Sequence, residues 1–473
     1  MSSPASMCGR VTVVLLVGLA GCTVHPPGEL EERATAMQAG KQFEKPIEVR
    51  QRPPFPINPT SDRLVEYALL GNAELERHYW EWRSAIEQIP QDGTQTTTLN
   101  VAAGTSITNG HTSLGNSALT LSNDPQTDLK WPGKLDAAAK RALENARAAG
   151  RRFIKAKYDL RYKVLSAYYD YALNAELIRL EQSNQQLLRT IARLAEDRNR
   201  AGRSGLQDAL KSSNEADVSG NDIATMRSQL PSQRAAINAL LSRPSDAPLP
   251  IPAKLPASRR VVYGDEDLVD MAAKQNPELI ALADEIRGRD EGIRLAKLQY
   301  LPDFNLSAGT DLMGVTQSLL SQATIPILRY EALDAGIAQA EAKLRATEAM
   351  RREVGNDLTA QVIMDIKVIR DADRQLDLFD HTILPRARQV VNVARNTFEA
   401  GNASETDAAS LLNLLDDQRS LIAIERLIAK LRVTREIRLA ELESITTSDL
   451  TTRPRADMGT SRENGGLDGS HNP

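Results

Sequence analysis

Two hydrophobic periods alternate along this 473-residue chain, and the alternation happens twice. From Asp62 to Ile89 apolar residues recur at steps of three and four, which predicts helix. Leu99, Val101 and Ala103 then alternate with Asn100, Ala102 and Gly104. That period of two belongs to a strand. A turn is expected at Gly110 and a return strand near Ala118 to Ser122. Beyond it Leu173, Leu180, Leu187 and Leu194 recur every seven residues, and no proline lies between Pro132 and Pro231. A sustained repeat of seven is the stripe of a coiled coil, because 3.5 residues per turn keeps one face on its partner. A helix from about Leu135 to Arg200 would run roughly 100 Å, far beyond an ordinary globular helix.

The same order returns in the second half. A helical stretch over Asp265 to Tyr300 precedes an alternating patch, Phe304, Leu306 and Ala308 against Asn305, Ser307 and Gly309. A turn at Gly314, a return strand over Gln317 to Ile325 and a second heptad stripe (Val362, Ile369, Leu376, Ile383, Val390) follow. Residue identities repeat too. Leu64, Val65, Glu66, Ala68, Asn72, Glu74 and Leu75 are echoed by Leu268, Val269, Asp270, Ala272, Asn276, Glu278 and Leu279. Ala201-Gly202 with Asp208-Ala209 is echoed by Ala400-Gly401 with Asp407-Ala408. Two markers in one order argue for a duplicated unit, and a unit that needs its copy usually leaves an apolar face to be covered.

The expected organisation is a signal peptide over 1–21, a lipidated N-terminus with a proline-rich extended tether over 22–60, and a first repeat over 61–243. A linker over 244–264, a second repeat over 265–446 and a disordered tail over 447–473 complete it. The leader has Arg10 before the apolar run Val11 to Ala20, too short to span a bilayer and ending in Leu19-Ala20-Gly21-Cys22. That ending resembles a bacterial lipobox, in which Cys22 receives the lipid. Cys8 would leave with the leader, so the mature chain has no disulfide. Thr23 stands where an Asp would resemble an inner-membrane retention signal, which favours the outer membrane.

Composition narrows the functional classes. A hydrophobic share of 41% supports a large core, and an aromatic share of only 4% suits long helices packed by small and aliphatic residues. A net charge of −4 makes no case for nucleic acid. No Gly-rich phosphate loop, Gly-x-Ser-x-Gly or His-Glu-x-x-His run occurs. The five histidines (His25, His78, His111, His381, His471) show no ligand spacing, so neither a cofactor nor an enzyme activity is expected.

If the four alternating strands enter a membrane, they must close, because hydrocarbon satisfies no backbone donor or acceptor. Four strands are too few, since the smallest membrane barrels have about eight, so the strands would be pooled between chains. Here residues carry a resemblance. Leu384-Pro385-Arg386-Ala387, then Phe398-Glu399-Ala400-Gly401, Asp407 and Leu411-Leu412, is similar to the recurrent run of the TolC-type outer-membrane efflux proteins. Trp131-Pro132-Gly133-Lys134 and Ile325-Pro326-Ile327 match that family's strand-to-helix junctions, and Tyr300-Leu301-Pro302 matches its approach to a hairpin.

The resemblance implies a fold that is mainly α with a small β part. A duplicated helix–β-hairpin–long-helix unit would form, as a trimer, a twelve-stranded β-barrel joined to a long α-helical barrel. It implies an outer-membrane, lipid-anchored location extending into the periplasm. The implied partners are two further copies, outer-membrane lipids, a periplasmic adaptor and an inner-membrane pump. The implied task is a passive exit duct for small molecules or ions. Gly202 and Gly401 would form the helix-tip turns, and Asp407 matches the first aspartate of a pore-entrance ring. The second falls on Ser410, a departure from the family. Asp407 has a competing role as a helix-start carboxylate, which Asp208 at the equivalent place invites. Pro385 reads as a local kink or a hinge. Tyr168, Tyr169 and Tyr171 read as packing; Trp80, Trp82 and Trp131 suit either a membrane interface or packing. The rival readings are a lipid-anchored periplasmic adaptor and a coiled-coil scaffold without a pore.

Overall fold

The computed structural model describes residues 23–50, 52–57, 59–95, 99–104, 107–108, 111–112, 118–123, 129–202, 205–311, 317–325, 329–400 and 407–451. Two short helices open each half. They are α2 (Ser61–Leu69) and α3 (Ala73–Gly93) in the first half, α6 (Asp265–Gln275) and α7 (Pro277–Leu298) in the second; α1 (Glu29–Ala39) precedes them all. An asparagine makes each break. Asn72 Oδ1 accepts from Leu75 N at 3.1 Å while its Nδ2 donates to the carbonyl of Leu240 at 2.9 Å. Asn276 Oδ1 accepts from Glu278 N and Leu279 N, and its Nδ2 donates to Ile445 O at 3.1 Å. An amide accepts and donates at once. One buried side chain thus starts one helix and ties down the end of another, the same way in both halves.

The alternating patches are strands where expected. They are β1 (Leu99–Gly104), β2 (Ile107–Thr108), β3 (His111–Thr112), β4 (Ala118–Asn123), β5 (Asp303–Asp311) and β6 (Gln317–Thr324). Gly110 and Gly314 lie outside the described residues. The strands β1-β4-β5-β6 form one antiparallel sheet in that order, with β2 and β3 paired separately. The register aligns Val101, Leu121, Ala308 and Leu319 in one row across all four strands. The neighbouring row is Ala102, Thr120, Gly309 and Ser318. Successive rows stand on opposite faces of a sheet, so one face carries an apolar row and the other a small, polar one.

The long helices are α4 (Pro132–Arg200), α5 (Leu206–Leu240), α8 (Tyr330–Leu378), α9 (Leu384–Ala400) and α10 (Asp407–Thr446). Near the sheet, α4 packs between α3 and α7, and α8 packs on the other side of α7. The helix order α3-α4-α7-α8 therefore follows the strand order. Three apolar cores result. The largest joins Phe43, Tyr79, Trp82, Phe153, Tyr169 and Tyr171 with Ile237 and Leu241; a second, at the far end, is built from α4, α5, α9 and α10; a third gathers Leu268, Val362, Ile366, Ile369 and Leu442.

Three expectations need correction. Residues 22–60 do not form an extended tether throughout. Residues 29–39 are helical, Ala36 and Phe43 are fully buried, and Trp82 Nε1 donates to Glu32 at 2.8 Å. The prolines gave the segment an extended look, but apolar residues between them find the first core. The tail also begins packed, since Leu450 is buried and its carbonyl accepts from Val262 N at 3.2 Å; residues 452–473 lie outside the described residues.

The third correction is the second heptad stripe. Val362, Ile369 and Leu376 are buried, but Val390 is 49% exposed and Val391 is 5% exposed in its place. A π-helical turn over Phe379–Ile383 stands between them, with Leu384 N donating to Phe379 O. A π-turn inserts one residue, which moves the buried face on by one position. Pro385 directly follows, and widening the turn relieves the clash of its ring with the carbonyl one turn back. On α4 the deepest stripe likewise runs one residue after the leucines: Asn174, Leu188 and Ala195 are buried, with Leu173, Leu187 and Leu194 beside them half-buried.

Candidate functional site

Two residues singled out by the sequence, Gly202 and Asp407, lie at the end of the molecule opposite the sheet. Helix α4 stops at Arg200, and Gly202 takes a left-handed φ of 69° while its N–H donates to Asn199 O at 2.9 Å. A residue without Cβ adopts that conformation at little cost. A Cβ there would meet nothing within 4 Å, so conformation and not crowding selects the glycine. Gly401 and Cys22 lie outside the described residues. Asp407 is the first residue of α10. Asp208 is buried in the first turn of α5.

The two tips are held side by side. The Arg198 guanidinium lies over the Phe398 ring, 4.3 Å from its centre, and also bonds the Phe398 carbonyl. Behind them Leu188, Ile191, Ala216, Val391, Leu411, Leu414 and Leu415 close an apolar cluster drawn from four helices.

Above that cluster lies a buried polar layer that sequence reasoning missed. Glu181 accepts from Ser219 Oγ at 2.6 Å, from Asn184 Nδ2 at 3.0 Å and from the Arg426 guanidinium. Asn184 Oδ1 accepts in turn from Gln418 Nε2 at 2.9 Å. The layer links α4, α5 and α10. A second layer is centred on Glu436 and Glu443, both fully buried. Arg259 of the linker binds both carboxylates, at 2.9 and 3.0 Å, and Arg161 of α4 binds Glu443. These carboxylates hold the guanidinium of Arg259 well above its ordinary value. The available signal was polar residues standing on heptad positions: Glu436 and Glu443 are seven apart, and Glu181 shares a stripe with Asn174 and Leu188.

Midway along α8 a third group is less balanced. Asp365 is fully buried and accepts from Gln361 Nε2 at 3.2 Å, while Arg438 lies 3.6 Å away and sits closer, at 2.6 Å, to Glu441. Burial, then the Glu441 charge, raises Asp365 to about 7 against the opposing pull of Arg438.

At the sheet end, Thr94 Oγ1 donates to Thr23 Oγ1 at 3.1 Å and Val24 N to Gly93 O at 2.9 Å. The residue after Cys22 is thereby fixed where α3 gives way to β1. Lys134 is buried and binds Asp303 at 2.8 Å, joining α4 to the base of β5. Trp131 and Phe304 stand at that base, both part-exposed, with ring centres 6.2 Å apart. Trp82 is buried and packs; Trp80 is exposed. Among the described residues no helix is long and apolar enough to cross a membrane.

Residues 268–447 match the family model described as outer membrane efflux protein. That stretch is similar to the outer membrane efflux family, and the fold of solved outer-membrane channels covers the first half as well. The outer-membrane channel OprN aligns with a TM-score of 0.70 at 16% identity, over 88% of this chain and 93% of its own. The outer membrane protein VceC of Vibrio cholerae aligns at 0.65 and 18%, over 79% and 94%. The open state of the Neisseria gonorrhoeae MtrE outer membrane channel aligns at 0.69 and 17%, over 83% and 90%. No curated protein matches the chain.

Proposed function

We propose that the chain is the outer-membrane channel component of a tripartite efflux system, a passive exit duct for small molecules or ions leaving the periplasm or an inner-membrane pump. One observation carries the reading: the sheet and the helical layer stop at the same flank. The sheet ends in β1 and β6, and the helices beside it end in α3 and α8. Among the described residues α4 packs between α3 and α7, whereas α8 packs on α7, α10 and α6, and Ala335, Ala338, Ala342, Ala346 and Ala349 on it are exposed. Setting α3 and β1 of a second copy against α8 and β6 of the first extends both layers by one rule. Such a ring closes into a barrel only with enough strands, and three copies supply twelve.

On this reading the duplicated unit is the stave of the wall, the strands sit in the outer membrane and the helices cross the periplasm. A lipid on Cys22 would stand at the foot of the barrel, among outer-membrane lipids; the pairing of the next residue, Thr23, with Thr94 at the start of the sheet supports this. Gly202 and Gly401 mark the far tip, where the periplasmic adaptor and its inner-membrane pump dock. Asp407 contributes one carboxylate per chain to a cation-favouring ring at the entrance. Reconstitution of the purified protein in a planar bilayer tests this. Stepwise, cation-favouring conductance from a trimer is expected. A delipidated protein that stays a water-soluble monomer and passes no current would end the proposal and favour an adaptor or scaffold.

A further inference from the structure

We propose that Asp365 is a proton-uptake latch, which draws α8 onto α10 when it is protonated and loosens that contact when it is not. The argument begins with a count of charges in a closed space. Two carboxylates, Asp365 of α8 and Glu441 of α10, share one guanidinium, Arg438 of α10. The other polar groups acting on them are Gln361 of α8, which donates to Asp365 and, at 3.1 Å, to Glu441, and the Tyr162 phenol of α4, which bonds Glu441. Asp265 of α6 is engaged with Arg370 at 2.9 Å, and Glu436 and Glu443 of α10 with Arg259. No second cation is therefore assigned to Asp365.

A buried carboxylate with a fraction of one cation relieves its desolvation by taking a proton from water. The neutral carboxyl then donates a hydrogen bond where the ion could only accept. Glu441, held by Arg438 and sharing the Gln361 amide donor with Asp365, is a strong acceptor across the helix contact. One proton thus replaces a repulsion between α8 and α10 with a bond between them.

The sign follows from linkage. Asp365 is raised from 3.8 to about 7 in the folded chain. Its contribution to stability is present in full below the unfolded value and is lost as pH rises through about 7. Roughly 20 Å of helix separates Asp365 from the π-turn that redirects the chain towards the tip. All the groups belong to one chain, so the latch stands or falls independently of the trimeric channel.

The test uses the full-length protein in detergent micelles. Hydrogen exchange is followed by mass spectrometry on peptides covering 355–372, corrected for intrinsic rate. In the wild type, opening should rise roughly tenfold from pH 6 to pH 8. Asp365→Asn, an uncharged isostere, should stay protected at both. Glu441→Gln leaves one carboxylate for one guanidinium and should move the transition down by a full pH unit or more. A wild-type profile flat across pH 6–8, or a Glu441→Gln transition that does not move, would overturn the latch. The Glu441→Gln arm decides even if Asp365→Asn fails to fold.

Discussion

At the scale of single residues, the two asparagines that break the opening helices say most about how this sequence works. Asn72 and Asn276 each cap one helix and tether the last carbonyls of another. Replacing either with alanine removes the cap and orphans a buried carbonyl. Loss of a cap costs about 0.5–2 kcal/mol and an unsatisfied buried group about 1–3 kcal/mol. Asn72→Ala and Asn276→Ala should therefore each lower the unfolding free energy by roughly 2–4 kcal/mol in a denaturant titration. Aspartate in either place keeps the cap but not the donor, and should recover only part of the loss. Both residues stood in the repeated marker of the sequence. Their identity was legible; their job was not, because the partner carbonyls of Leu240 and Ile445 come from the far ends of the two halves.

At the scale of elements, periodicity placed the helices α4 and α8 and the strands β1, β4, β5 and β6, and it failed where the helical frame was shifted. The stripe from Val362 is a correct reading as far as Leu376. Beyond it one residue is absorbed in the π-turn, and no hydrophobic pattern records that event; only Pro385 hinted at it. The consequence is measurable. Val391→Ala should destabilise the chain by about 1–2 kcal/mol, as for removal of buried methyl groups. Val390→Ala should cost less than about 0.5 kcal/mol, the usual cost at an exposed position. Equal losses, or the reverse order, in thermal or urea unfolding would mean that the heptad runs unbroken through 379–383. The packed stretch over 23–57 failed for a different reason. Its prolines dominate local reading, whereas Ala36 and Phe43 are buried against helices that come later in the chain, Phe43 meeting the Tyr79 ring of α3 at 5.5 Å and the Phe153 ring of α4 edge-on at 6.5 Å.

At the scale of the whole molecule, the decisive question is what covers the outer flank of α8. Ala335, Ala342 and Ala349 recur every seven residues there, with Ala338 and Ala346 beside them, all exposed in a single chain. Small residues at heptad spacing let a second helix approach closely, and they make a poor surface to leave in water over several turns. The sequence displayed these alanines, but spacing alone could not assign them, because an alanine on a long helix is equally a good helix former. What assigns them is that the sheet runs out of strands on the same side. Ala342→Glu is therefore informative. Glutamate keeps helix propensity and stays solvated in the monomer, so circular dichroism should be unchanged. Buried against α3 of a neighbour, its charge would be stranded, which costs several kcal/mol per contact. With three such contacts in a closed ring, sedimentation in detergent should show trimer replaced by monomer, and bilayer conductance should vanish with it. The same substitution at an exposed site away from that flank, Gln339→Glu being too near and Ser228→Glu suitable, should leave the trimer intact. If Ala342→Glu assembles as well as the wild type, α8 faces water or the lumen and the wall must close along some other edge.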